Sequence, residues 1–280
     1  MVTSYASRPL ETDADSLEAY RSLLAVTSAS IEREYLRWLY CDNPWGTAVG
    51  FNAHAGDELA AHYATIPVEA MFDGARTKGL LSLNTATHPK HQGKGLFTRL
   101  AEATYAHARE RGYEFVVGVA NANSTPGFTR KLGFQLVAPL DVRIGIGRLA
   151  ASRDDGVGFS LAWTETALRW RLRRPHSGYV ATENEKDAVV YAPAHKLGVL
   201  AYLTHAPRPL TAELPPVPRT QPLRMWIGID PQLERRGLFA PLPDRLKPSP
   251  LNLIFRDLTG RERRLSRDTT RFTLLDFDAY

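Results

Sequence analysis

The chain has 280 residues, 44% of them hydrophobic and 23% charged, which is a globular composition able to bury a sizeable core as one extended domain or two modest ones. Its net charge is +5; residues 1–150 hold 15 Lys+Arg and 15 Asp+Glu, so the remaining 20 and 15 place the whole excess in residues 151–280, with no basic tract interleaved with aromatics and hence no nucleic-acid partner expected. The single cysteine, Cys41, excludes an internal disulfide framework, and no apolar run is long enough to cross a bilayer, so a cytoplasmic protein without a membrane partner is the expectation.

Residues 13–26 read as a helix, with Leu17, Tyr20, Leu23 and Leu24 on one face. A second helix over 28–41 ends at Asn43-Pro44. Strands over 47–55 and 58–73 follow, and Asp73-Gly74 is a hairpin signal that turns the chain into a strand ending near residue 87. Residues 94–112 carry the clearest helical stripe, Leu96, Leu100, Ala103 and Ala106, stopped by Gly112. The apolar run 114–120 reads as a strand buried on both faces. A short helix over 125–132 closes at Gly133, and a strand is expected over 134–147.

A second unit opens near residue 157. Its ETALRWRLRRP is similar to EREYLRWLYCDNP of the first half: both place an Arg-Trp pair on a helix that a proline ends before a strand. Strands are expected near 178–182, 187–192, 197–204, 223–229, 251–256 and 271–279, and residues 206–250 hold 11 of the 19 prolines. The pattern is a diverged internal repeat, divided as 1–148 and 149–280.

The stretch 87–106 carries the chemistry. A strand leaves through Pro89, a loop holds Gly93 and Gly95, and the best helix of the chain begins. The first turn of a helix leaves N–H groups unpaired and adds the positive end of the macrodipole, so this is an anion site. Lys94 adds a full charge. The loop matches neither the P-loop nor the dinucleotide fingerprint.

Gln92-Gly93-Lys94-Gly95-Leu96-Phe97 resembles the Gln/Arg-x-x-Gly-x-Gly/Ala motif of the GNAT superfamily of acyltransferases. Arg130-Lys131-Leu132-Gly133-Phe134 resembles that family's second signature at the right separation. The resemblance implies an α/β (α+β) fold, a mixed central sheet flanked by helices, with a second diverged half of the same kind. It implies acetyl-CoA or another acyl-CoA as donor, and no metal is expected. The donor's pantetheine arm would run along Leu83 to Thr87, its pyrophosphate would sit on the amides of Gln92 to Phe97, and the amine would attack the thioester directly. The expected donor contacts are thus Thr85, Ala86, Thr87, Gln92, Gly93, Lys94, Gly95, Leu96, Phe97 and Asn123.

The chain departs from the family pattern in two places. Phe97 stands where Gly or Ala is usual. Thr129 stands where the family's acid tyrosine is expected, and a threonine is a poor acid. Candidates for proton removal are His62, Asn84, His88 and Glu69, with Asn84 on a strand position that could face the acceptor although an amide is no base. Trp38, Tyr40 and Asn43 suit a sugar ring or a base and are the expected acceptor contacts. The basic run Arg169, Arg171, Arg173 and Arg174 suits the phosphates of a nucleotide-linked substrate or a solvated helix face. Glu234-Arg235-Arg236-Gly237-Leu238-Phe239 echoes the cradle hexapeptide, but Pro241 and Pro243 bar a helix after it.

The reading is therefore an acyl-CoA-dependent N-acyltransferase acting on a primary amine, in particular a nucleotide-linked amino sugar. The likeness includes Asn121 to Phe128 (Asn-x-Asn-Ser-x-Pro-Gly-Phe) of sugar N-acyltransferases in surface-polysaccharide pathways. The alternatives are a small-amine, aminoglycoside or protein N-acetyltransferase, or a CoA-binding regulator without turnover. Either a monomer or a homodimer fits.

Overall fold

The computed structural model describes residues 4–27, 30–150, 156–185, 187–194, 198–207, 210, 213–243 and 249–277. Its elements are β1 (Ala6–Pro9), α1 (Ala14–Thr27), α2 (Arg33–Tyr40), β2 (Val49–Ala55), β3 (Glu58–Phe72), β4 (Ala75–Thr87), α3 (Leu96–Glu110), β5 (Phe115–Ala120), β6 (Gln135–Pro139), β7 (Asp141–Ala150), β8 (Phe159–Leu161), α4 (Glu165–Leu172), β9 (Val180–Glu183), β10 (Asp187–Ala194), β11 (Val199–Pro207), β12 (Leu223–Ile229), β13 (Glu234–Pro241), β14 (Asn252–Asp257) and β15 (Phe272–Thr273). Leu17, Tyr20, Leu23 and Leu24 are the buried face of α1, as their spacing predicts. The helix expected over 28–41 starts at Arg33; residues 28–29 lie outside the described residues.

The fold class is α/β, with mixed sheets and few helices. Among the described residues the first sheet runs β1-β2-β3-β4-β5-β14-β6 with β8 against β3, and the second runs β13-β7-β12-β11-β10-β9 with β15 against β12. The first is antiparallel through β1, β2 and β3 and parallel at β4–β5. The second repeats this, antiparallel through β9, β10 and β11 and parallel at β11–β12. In each half a helix carrying the Arg-Trp pair, α2 or α4, precedes an antiparallel strand pair, β2–β3 or β9–β10; β1, ahead of α2, is an addition of the first half. The repeat read from ten residues of sequence thus extends to the order and polarity of the strands.

The chain groups into two compact units. One comprises Met1–Glu69, Thr77–Leu136 and Ile254–Arg264; the other comprises Ala70–Arg76, Val137–Leu253 and Leu265–Tyr280. The expected strand 134–147 is in fact two strands, β6 and β7, placed in different sheets. Likewise β14, which follows β13 in the chain, lies between β5 and β6 of the first sheet. A linear division at 148/149 leaves Ile254–Arg264 to the second half, whereas these residues pack in the first unit. There Phe255 stacks on Phe115 at 5.9 Å, Arg256 pairs with Glu102 at 2.8 Å, and Arg263 pairs with Glu114 at 2.9 Å.

The core of the first unit joins Tyr63 and Leu80 of the sheet to Leu100 and Tyr105 of α3, with Val116, Phe134 and Ile254. Gly79 sits in it because the ring of Phe115 lies where a Cβ would stand, 2.2 Å from the nearest ring carbon. Three differences from the sequence reading concern the second half. Residues 234–241, left without an element by their prolines, form β13. Only Phe272–Thr273 of the expected strand 271–279 is extended, and residues 278–280 lie outside the described residues. Arg171 of the basic run is 4% exposed and donates to the Leu275 carbonyl at 3.1 Å and to the Tyr179 hydroxyl, so it serves the core of the second unit rather than a phosphate.

Candidate active site

β4 and β5 form a parallel ladder from Gly79↔Phe115 to Ser82↔Gly118, and there it ends, although β4 continues to Thr87 and β5 to Ala120. Beyond that point the strands splay and leave the backbone of β4 without a ladder partner on the β5 side. The opening coincides with Asn84, which has φ +46° inside a strand. Asparagine reaches that left-handed conformation more readily than other non-glycine residues, and inside a strand it still departs from its neighbours. The strand passes there from buried Gly79, Leu80 and Leu81 to half-buried Ser82, Leu83 and Asn84.

A buried chain of hydrogen bonds holds Asn84 there. Asn84 Nδ2 donates to the Tyr40 hydroxyl at 3.2 Å. Tyr40 lies 3.0 Å from His62 Nε2, and His62 Nδ1 lies 2.7 Å from Asn52 Oδ1. Asn52 Nδ2 donates to the Tyr20 hydroxyl at 2.9 Å, and that hydroxyl donates to the Glu11 carbonyl at 3.0 Å. With the asparagines oriented by these partners, the network assigns the proton of His62 to Nδ1, so Nε2 accepts from Tyr40. Burial pushes His62 down to about 3 and pushes the Tyr40 phenol upward. Both are therefore neutral at physiological pH.

The anion cradle follows β4. After a 3-10 turn at Pro89–His91 the loop Gln92–Gly95 is exposed, and α3 starts at Leu96. Gly95 is the N-cap at φ +70°, and no side chain caps the first turn. A Cβ at Gly93 or Gly95 would meet nothing within 4 Å. These glycines are thus demanded by their left-handed backbone and not by space, and they leave the helix N-terminus open to an anion.

Phe97, the first departure from the family pattern, is accommodated by its neighbours. The half-buried Phe97 ring packs edge-on against Phe128 at 5.1 Å and Tyr63 at 5.9 Å. A Cβ on Gly127 would come within 3.1 Å of that ring. A bulky residue at 97 therefore needs a small one at 127. Thr129 Oγ1 donates to the Thr125 carbonyl at 2.9 Å, so its hydroxyl is committed to the helix. On the other side of the splay, Ser82 Oγ lies 2.9 Å from the Tyr63 hydroxyl. Burial pushes Tyr63 up to about 12, so its hydroxyl keeps its proton at neutral pH.

The remaining predicted residues are dispersed. Thr85 is exposed, Ala86 buried and Thr87 half-buried, and Thr87 accepts a bond from Gln92 Nε2 at 3.4 Å through its carbonyl. Lys94 and Asn123 are exposed. Glu69 lies far from His88: the backbone of His88 bonds Ala60, and Glu69 is nine residues further along β3, roughly 30 Å at 3.3 Å per residue. His88 accepts from the Lys90 amide at 3.3 Å and belongs to a group with Glu58 and His91, not with Asn84. Trp38, Tyr40 and Asn43 are buried at 6%, 0% and 5% exposure. Tyr40 is spent on Asn84 and His62, and Asn43 donates to the Pro67 carbonyl and accepts from the Trp45 amide, which fixes the turn after α2. Sequence reasoning missed Asn52 and Tyr20 as members of the network, because the β2–β3 register sets Asn52 opposite His62 and the packing of α1 stacks Tyr20 on it at 4.3 Å.

The second unit holds a cavity of about 600 Å³ walled by Trp163, Tyr202 and Trp226, with Asp276 in its lining. Trp163 Nε1 donates to Asp276 at 2.7 Å, and burial raises the Asp276 carboxyl to about 6. Among the described residues no helix separates β11 from β12. The second unit therefore has no counterpart of the α3 cradle, and the echo hexapeptide 234–239 lies on exposed β13 instead.

Comparison with known proteins agrees with this geometry. Residues 27–137 match the model of the acetyltransferase (GNAT) domain. Among solved structures, the chain is similar to a GCN5-related N-acetyltransferase from Kribbella flavida (TM-score 0.60, 13% identity, 91% of this chain and 72% of that one). It is also similar to a GCN5-related N-acetyltransferase from Anabaena variabilis (0.58, 11%, 90% and 73%) and to Eis1 from Mycobacterium abscessus (0.55, 12%, 91% and 74%). At these identities the likeness is one of fold. No curated protein matches the sequence.

Proposed function

We propose that the splay at Asn84 and the cradle at Gly95 form one acyl-CoA site, a reading supported by the match of residues 27–137 to the acetyltransferase (GNAT) domain. The observation that carries the proposal is their arrangement on a single strand-loop-helix unit. β4 loses its β5 partner just before the loop whose helix N-terminus is uncapped. An extended arm can hydrogen-bond Leu83–Thr87 while its diphosphate takes the amides of Gln92–Phe97. Lys94 adds charge at the rim.

The reaction is direct aminolysis. The neutral amine nitrogen forms a bond to the thioester carbonyl carbon, the C–S bond breaks, and the thiolate takes a proton. Thr129 does not supply that proton, since its hydroxyl is bonded to Thr125. Water or the acceptor's own ammonium proton fills the role. Asn84 contributes position, not basicity: its side chain is tied to Tyr40, so its backbone is fixed where the thioester lies.

The acceptor we propose is the amino group of a nucleotide-linked sugar, on the strength of the sequence likeness over Thr87-His88-Pro89, Gly95-Leu96-Phe97 and Asn121–Phe128. Thiol release from acetyl-CoA in the presence of amino sugar nucleotides, aminoglycosides, polyamines and peptides tests it. Turnover confined to sugar nucleotides is expected, and turnover with aminoglycosides or peptides alone would transfer the acceptor class to those compounds. Gly95→Glu sets a carboxylate against the diphosphate and forces a side chain into a left-handed site. It is expected to weaken CoA binding on the order of 100-fold, about 3 kcal/mol. Undiminished binding in a calorimetric titration would remove the cradle assignment.

A further inference from the structure

Three side chains of the first unit converge outside the acyl-transfer geometry. Glu58 opens β3, His88 follows β4, and His91 closes the 3-10 turn; their ligand atoms all lie within 4.8 Å of one another. His88 and His91 are brought to one side because residues three apart eclipse on a 3-10 turn. The backbone of His88 is pinned to β3 by its bond to the Ala60 carbonyl at 2.9 Å, which sets it beside Glu58.

His91 carries the inference. The residue is only 9% exposed, and its Nε2 is buried without a hydrogen-bond partner. Its Nδ1 lies 3.0 Å from the Tyr5 hydroxyl. With Nδ1 as the donor in that contact, Nε2 presents a lone pair, and the atom in front of it is Glu58 Oε1 at 3.5 Å. A buried lone pair with no donor in front of it is unfavourable, and a cation held between Nε2 and the half-exposed Glu58 carboxylate would satisfy it; the other tautomer, with Nε2–H facing Glu58, is the plain contact that the test below separates from it. A ligating His88 would present Nε2 to the same point with its proton on Nδ1, giving up the long 3.3 Å bond that Nδ1 otherwise accepts from the Lys90 amide.

We propose that Glu58, His88 and His91 bind a divalent transition-metal ion of the zinc type. Two imidazoles and a carboxylate form a borderline donor set that suits zinc or cobalt and not magnesium or calcium. Ligand atoms on a tetrahedral ion with bonds of roughly 2.0–2.1 Å stand roughly 3.4 Å apart, close to the Glu58–His91 separation. Tyr5 provides the outer hydrogen bond that fixes the tautomer of a ligating histidine. The fourth position opens to solvent beside the exposed Glu58. A bound ion ties β3 to the turn that leads into the cradle.

The test uses the full chain without a histidine tag, freed of metal with a chelator. Cobalt(II) should bind one ion per chain with visible d–d absorption, and zinc should displace it. E58Q and H91Q should each weaken binding at least tenfold, while H107Q and C41S, away from the cluster, should not. Zinc should raise the melting temperature of the parent chain but not that of E58Q, and millimolar magnesium should raise neither. If H91Q does not fold by circular dichroism, E58Q and H88Q, at more exposed positions, decide the matter. A plain His91–Glu58 ion pair predicts no cobalt spectrum. That result, binding indifferent to E58Q and H88Q, or binding lost only in C41S would overturn the proposal.

Discussion

Asn84 shows how one residue can be legible in type and illegible in role. The sequence places it on the strand before the cradle, at a position that could face the acceptor. Its left-handed backbone and its tie to Tyr40 arise from residues up to 73 positions away, at Glu11. Tyr40→Phe removes the acceptor of the Asn84 amide and the donor to His62, leaving buried polar groups unpaired. A loss of about 1–3 kcal/mol of stability is expected in urea unfolding. A fall in kcat larger than the rise in KM for acetyl-CoA should accompany it, and unchanged kinetics would show that Asn84 needs no anchor. His62 adds a pH dependence. Its folded value of about 3 lies below its ordinary 6.5, so the unfolded chain takes up the proton first. This contribution is complete above pH 6.5 and is lost as pH falls from there towards 3, on the order of 4 kcal/mol. Stability measured from pH 8 to 4 should fall in the parent chain, and His62→Gln should flatten that fall. An equal slope in both would assign acid sensitivity to other groups.

At the scale of elements, the unit β4–loop–α3–β5 was the most legible part of the chain. Local signals coincide there: a helical stripe, glycines at the helix start and an apolar run of strand length. The parallel pairing of β4 with β5 depends on Gly79, over which Phe115 lies. Gly79→Ala would drive a Cβ into that ring, and a cost of about 1–3 kcal/mol is expected from overpacking. A matched Gly79→Ala/Phe115→Leu pair should recover part of it in the same unfolding experiment. If the single variant unfolds like the parent, the ring moves freely and the contact does not set the strand spacing. Phe97 illustrates the converse, since it looks like a defect in the motif until Gly127 is seen beside it. They are one packing solution, visible only when α3 and the π turn at Gly127–Lys131 lie side by side.

At the scale of the whole molecule, the first sheet is completed by β14, more than a hundred residues beyond β6 in sequence. Ile254 and Phe255 are each 1% exposed in its core. A chain ending at residue 250 is therefore expected to lose cooperative unfolding of the first unit, as is the fragment 1–148. Fusing residues 252–264 behind the fragment should restore a thermal transition. A fragment 1–148 that folds unaided would show that β14 is dispensable. The charge, the absence of a disulfide framework, the repeat and the phosphate cradle followed from the sequence, because each rests on residue type or on spacing within about forty residues. The insertion of β14, the network from Glu11 to Asn84 and the meeting of Glu58 with His88 and His91 were decided by tertiary structure. They depend on strand pairing between distant segments, and neither hydrophobic periodicity nor turn chemistry encodes which strand will fill a given gap. The sequence on its own determined where a glycine loop opens the N-terminus of α3, and the folded chain decided what holds the strand beside it.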